Sequence, residues 1–179
     1  MKLTVDGTVF TQPLTVIMDP RSAATSSELE QQGKLGREMF AETIRSRQVL
    51  AEIRRVQKRL AAVREKLGAQ QTQLNARVEQ VQDAIKKIVT GGGGRSGGDL
   101  GLQSASAGIA SALRVVESGN RTVPEQAIAV FEESDRAAKL RIDEWTQLKT
   151  TLLVQLNDQL KETNETPIPV GELELEMDN

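Results

Sequence analysis

The sequence predicts a mainly α fold, an antiparallel bundle of four helices, two of them long, entered through a β-hairpin. Three observations predict it. Apolar residues recur at three- and four-residue spacing in four separate stretches between Met39 and Leu160. Strict alternation of polar and apolar residues is confined to the first eighteen positions. Glycine-rich or turn-forming segments, Gly91 to Gly98 and Ser118-Gly119-Asn120, divide the helical stretches from one another.

The hairpin comes first. Leu3 and Val5 alternate with polar neighbours, Asp6-Gly7 is a type I′ turn signal, and Thr8-Val9-Phe10-Thr11 resumes the pattern. Leu14, Val16 and Met18 continue it at a spacing of two, so a long second strand is expected, with Pro13 confining it to an edge or a bulge. Two strands cannot cover an apolar face in water. The chain opens inside a strand, so the expectation is that residues 1–20 are the severed edge of a sandwich. Residues 21–27 then read as a linker.

Ser27-x-x-Glu30 is a capping-box pattern that opens the first helix, which runs to about Leu67. Its stripe is Met39, Thr43, Ile53, Val56, Leu60, Val63 and Leu67, and a second stripe follows at Leu74, Val78, Val81, Ile85 and Ile88. Leu60, Leu67, Leu74, Val81 and Ile88 keep a seven-residue interval, but their partners move from three residues on to four near Gly68-Ala69-Gln70-Gln71. A helical hairpin explains that slip, and a stutter in one continuous helix is the alternative. Residues 91–98, GGGGRSGG, read as a flexible linker. Asp99 is placed to cap a third helix carrying Leu102, Ile109, Leu113 and Val116. Thr122-x-x-Glu125, with Pro124 in the first turn, opens a fourth whose stripe is Ala127, Phe131, Ala138, Ile142, Trp145, Leu148, Leu152, Leu156 and Leu160. Laying the short pair along the long pair buries all four stripes and defines a bundle over 28–165. An acidic tail, 166–179, is expected to be disordered.

Composition narrows the chemistry. The chain has no His and no Cys, which removes the commonest general base, the usual zinc ligands and any thiol nucleophile. Aromatic residues make up 2% of it, too few for an enzyme pocket or a base-stacking surface. Net charge is −2, no apolar run approaches a bilayer span, and the N-terminus lacks the apolar core of a signal peptide. By itself such a chain reads as cytoplasmic.

Arg95-Ser96 within the glycine run imitates a phosphate loop, but the element before it is helical and two more glycines follow, so a plain linker is the better reading. Glu132-Glu133 and Asp143-Glu144 are adjacent on a helix and point about 100° apart, so neither pair converges on one substrate atom. Glu172, Glu174, Glu176 and Asp178 would hold a cation only weakly. From Lys34 to Lys66 ten Lys and Arg stand against four Glu. No aromatic residue is interleaved to stack on bases, so pairing with the acidic fourth helix or tail is expected rather than nucleic-acid binding. Trp145 lies on an apolar stripe and is expected in the core. Catalytic, cofactor-binding and metal-ligating residues are therefore none, and no cofactor is expected.

The segment KLTVDGTVFTQPLTVIMDPR, Lys2 to Arg21, resembles the junction near the C-terminus of bacterial sortilin-like, BNR-repeat proteins, often labelled glycosyl hydrolases. The resemblance extends to Trp145-Thr-Gln-Leu-Lys149, Leu156-Asn-Asp-Gln-Leu160 and Pro167, with the glycine-rich interruption between. It implies that residues 1–20 are the closing hairpin of an immunoglobulin-like domain that follows β-propellers, and that the helices end the protein. It also implies an exported, periplasmic or secreted parent. No Asp-box repeat of the Ser-x-Asp-x-Gly-x-x-x-Trp type is present, so the hydrolase label transfers no residue to this chain. The expected function is that of a non-catalytic C-terminal accessory region that docks on the preceding propeller and sandwich domains or on a protein partner. The alternative is a stand-alone coiled-coil scaffold that homodimerises. Neither nucleic acid nor a membrane span is expected.

Overall fold

A computed structural model of the chain describes residues 1–17, 19–20, 24–67, 71–92 and 99–169. They form a mainly helical structure with one antiparallel hairpin. Strands β1 (Lys2–Val5) and β2 (Thr8–Thr11) are followed by helices α1 (Ser26–Lys66), α2 (Thr72–Thr90), α3 (Leu102–Val116), α4 (Glu125–Thr150) and α5 (Leu152–Glu162). The four expected helical segments are present, the last divided at Thr151.

The helices lie in three rows. α1 spans 41 residues, about 60 Å at 1.5 Å per residue. α2 returns along its far half: the Arg64 guanidinium donates to Gln82 Oε1 at 3.2 Å, although in one continuous helix those residues would stand about 27 Å apart. The chain therefore reverses between α1 and α2, and the hairpin alternative holds over the stutter. α3 continues the same row toward the start of α1, where Gln32 Nε2 donates to the carbonyls of Val116 (2.5 Å) and Gly119 (2.7 Å). α4 and α5 then run parallel to α1. Thr122 meets Glu28 at one end, Trp145 meets Glu52 further along, and Ile168 lies beside Val63 at the other.

One apolar core joins the rows. α2 buries Leu74, Val78, Val81, Ile85 and Ile88, the whole expected stripe. α1 buries Met39, Thr43, Ile53, Val56, Leu60 and Val63 as expected, and also Ser46 and Leu50, while Leu67 is only partly covered. α3 and α4 approach most closely, because α3 offers Ala105, Gly108 and Ala112 where α4 offers Ala127, Ser134 and Ala138. A Cβ on Gly108 would lie 2.1 Å from Ser134 Oγ, so any side chain there would have to displace the Ser134 hydroxyl.

Several local expectations need correction. The capping box is built by Thr25 and Glu28, not Ser27 and Glu30: Thr25 Oγ1 accepts from the Glu28 amide (3.3 Å), and Glu28 accepts from the Thr25 amide (2.8 Å). The second strand ends at Thr11, one residue before Gln12, which exchanges hydrogen bonds with Met1 (2.6 and 3.0 Å) at the end of the partner strand, and Leu14 to Ile17 lie outside any strand. Gly101, not Asp99, is the N-cap of α3. Thr122 does not cap α4, whose N-cap is Pro124, and its hydroxyl instead donates to Glu28 Oε1 at 2.6 Å. At Thr151 (φ −117°, ψ −80°) the last long helix kinks, beside hydroxyls of Thr146, Thr150 and Thr151 that bond carbonyls of the preceding turn. The kink rotates the stripe, so Leu153 is fully buried and the expected Leu152 only partly so. Order also reaches past residue 166: Ile168 is buried, and its backbone is held on both sides by Asn157 (2.7 and 2.9 Å). Met18, Gly68 to Gln70, Arg95-Ser96 and the acidic residues of the tail lie outside the described residues.

Candidate interaction surfaces

The hairpin is the first candidate. Its register pairs Lys2 with Thr11, Leu3 with Phe10, Thr4 with Val9 and Val5 with Thr8. Asp6 (φ 47°) and Gly7 (φ 78°) both adopt the left-handed region, as a type I′ turn requires. Directly paired residues share a face, so Leu3, Val5 and Phe10 lie together on one side of the ribbon. Among the described residues nothing covers them. Leu3, Val5, Val9, Phe10, Leu14, Val16 and Ile17 are all between 48% and 86% exposed, and neither strand packs on a helix. A ribbon of two strands also leaves both outer edges with unpaired backbone groups.

A second feature lies midway along the bundle, where α2 passes into α3. Gly91 and Leu100 form an antiparallel bridge, which brings the ends of the glycine-rich segment together. The backbones touch so closely that a Cβ on Gly101 would lie 2.3 Å from the Val89 carbonyl oxygen, and one on Gly91 2.1 Å from that of Asp99. Gly91 also has φ +76°, which glycine adopts without strain. Arg141 clasps this neck from α4. Its guanidinium donates to the Leu100 carbonyl (3.0 Å), to Asp99, and to both oxygens of Glu144 (2.8 and 2.9 Å). The Glu144 hydrogen bonds, together with Asp99, hold the Arg141 pKa above its ordinary value against the opposing effect of burial.

A polar seam joins α1 to α4, with the opposite polarity to the expected one. Carboxylates of α1 face lysines of α4. Glu52 accepts from the Trp145 indole (2.8 Å) and from Lys149 (3.0 Å), whose ammonium lies 5.8 Å from the indole ring centre. Lys139 donates to Asp135 at 2.6 Å, and this bond, helped by the nearby Glu42 and Glu38 charges, raises its pKa. The ten basic residues of α1 all lie on exposed positions, and none pairs with a carboxylate of α4 among the described residues. Their charge faces solvent. Trp145 is in the core, 1% exposed.

The sequence-derived carboxylate pairs do not converge. Glu132 and Glu133 are both exposed, Asp143 points to solvent, and Glu144 turns back to Arg141. Among the described residues, no group of three or more carboxylates is placed to hold a metal ion. No helix among them is long and apolar enough to cross a membrane. Arg141 and the neck it holds were not visible as a site in the sequence. The available signal was a charged residue next to Ile142, on the flank of an apolar stripe.

The molecule is thus an elongated three-row helical bundle with a projecting, uncovered β-hairpin. The chain matches no protein family, no curated protein and no solved structure.

Proposed function

We propose that the chain is a non-catalytic interaction region, in which the hairpin completes a β-sheet of a neighbouring domain while the bundle acts as a rigid arm. The single observation that carries this reading is the uncovered apolar face of the hairpin, with Leu3 at 55% and Phe10 at 54% exposed. An isolated two-stranded ribbon is marginal in water, whereas strands added to an existing edge gain main-chain hydrogen bonds and cover their apolar face. With the sequence resemblance, the recipient would be an immunoglobulin-like sandwich of an exported BNR-repeat, sortilin-like protein. Homodimerisation through the first two helices finds less support, because the stripes of α1 and α2 are covered within one chain.

The test is binding of the full chain to a separately produced propeller-and-sandwich region of such a protein, followed by calorimetry. A 1:1 complex that is lost when Leu3→Ser and Phe10→Ser are introduced is the expected result. No complex with the unaltered chain would overturn the proposal. So would turnover of glycosides above blank by the chain alone.

A further inference from the structure

The structure carries a second open surface, on the face of α1 opposite the seam with α4. Two hollows, of about 660 and 310 Å³, lie along the α1–α3 junction and meet at Phe40, which lines both. On α1 the floor is made by Leu29, Gly33, Gly36, Phe40 and Ile44, which recur every three or four residues and so form one helix face. On α3 it is made by Ala107, Ala110 and Leu113. Leu29 to Arg47 is about 27 Å of helix, the length of an 18-residue partner helix.

The two glycines are the telling residues. Each weakens an α-helix relative to alanine, and the packing among the described residues does not require either of them. A Cβ on Gly36 would stand 3.8 Å from the nearest atom of Val116, an ordinary contact, and one on Gly33 would meet only the flexible Arg37 side chain at 3.4 Å. Gly108 is different, since Ser134 occupies the space beside it. Glycines on an exposed apolar helix face, with no close neighbour among the described residues, suit the close approach of something from outside.

The charges select what that is. Arg37, Arg47 and Arg114 line the hollows, opposed there by Glu117 alone among the described residues. Among the described residues, none of the three arginines forms an ion pair. Two copies related by a twofold axis would set these arginines against one another, so the groove does not suit a second copy. We infer that the α1–α3 groove docks an amphipathic helix of a partner protein, whose small apolar stripe sits over Gly33 and Gly36 and whose flanking carboxylates meet Arg37, Arg47 and Arg114. This rests on the reading of the chain as an interaction region, but not on the hairpin.

The probe is a synthetic 18-residue helical peptide with a Leu/Ala stripe and Glu flanks, read by fluorescence anisotropy against the full chain. Its counterpart has Lys in place of Glu. The acidic peptide should bind at least about tenfold more tightly than the lysine peptide. Gly33→Ala with Gly36→Ala should raise the melting temperature while weakening peptide binding, opposite signs that a purely structural role does not produce. Arg37→Glu with Arg114→Glu should reverse the peptide preference. Equal binding of both peptides, binding indifferent to the glycine pair, or capture of the chain by anionic lipid vesicles in place of the peptide would each overturn the inference. Leu3→Ser with Phe10→Ser should leave peptide binding intact. Loss of the groove signal while the sandwich complex still forms would sink this inference alone.

Discussion

Replacing Arg141 by methionine removes the clasp on the α2–α3 neck while keeping most of the aliphatic cover that the side chain provides. Its three contacts contribute unequally. The Leu100 carbonyl is part-buried and loses a charged donor at 3.0 Å, a loss worth about 1.5–3 kcal/mol. Asp99 is 48% exposed, so water recovers most of that pair and its share is about 0–1 kcal/mol. The Glu144 pair, three residues apart on one helix, adds about 0.3–0.5 kcal/mol. Arg141→Met should therefore destabilise the chain by about 2–4.5 kcal/mol, against less than about 1 kcal/mol for Asp99→Asn, as measured by urea denaturation followed at Trp145. In a chain of this size the melting temperature should fall by about 4–18 °C. Amide exchange at Gly91 and Leu100 should accelerate in step. If Arg141→Met costs no more than Asp99→Asn, the neck is held by its glycine geometry alone and the clasp argument is refuted.

Glu52→Ala leaves the indole N–H of a 1%-exposed tryptophan without its acceptor. The expected cost is about 1–3 kcal/mol, with a shift in Trp145 emission, whereas Glu52→Gln, which can still accept, should cost clearly less. Gly108→Ala drives a Cβ to within 2.1 Å of Ser134 Oγ and should cost about 1–3 kcal/mol by calorimetry, partly relieved by adding Ser134→Ala. Glu28 is held below its ordinary carboxylate pKa first by the Thr122 hydroxyl, then by the Thr25 amide and hydroxyl. A depressed carboxylate stabilises the fold above its unfolded value and loses that effect as pH falls through the folded one. The Thr25 and Thr122 resonances should therefore move together in an NMR titration below pH 4.5, and Glu28→Gln should abolish the shared transition.

Much of the bundle was legible because its chemistry is periodic. The five apolar positions of α2 from Leu74 to Ile88 are the five that are buried, and the slip of phase near Gly68 marked a real reversal of the chain. Ser46 escaped notice because a hydroxyl in a core position looks like a solvent residue, and Leu50 because Ser46 interrupts the stripe that leads to it. The caps were misplaced for a tertiary reason. Thr25…Glu28 and Ser27…Glu30 are equally good local patterns, and a threonine from ninety-four residues away fixes the choice by bonding Glu28. Asp99 has the composition of a cap, but Arg141, forty-two residues on, draws it to the neck. The kink at Thr151 arises from a cluster of threonine hydroxyls competing for carbonyls, an effect that apolar periodicity does not record. The groove was invisible for a simpler cause: Gly33 and Gly36 read as weak points in a helix until α3 lies beside them.

In this chain the helices close on one another while the hairpin is left uncovered by the described residues. Hydrogen exchange followed by mass spectrometry on the full chain tests both halves at once. Peptides from α1, α2, α3, α4 and α5 should be protected together and released together in denaturant, while Lys2 to Thr11 exchanges within seconds. Hairpin amides as slow as those of α1, or α1 and α2 exchanging without protection, would contradict it.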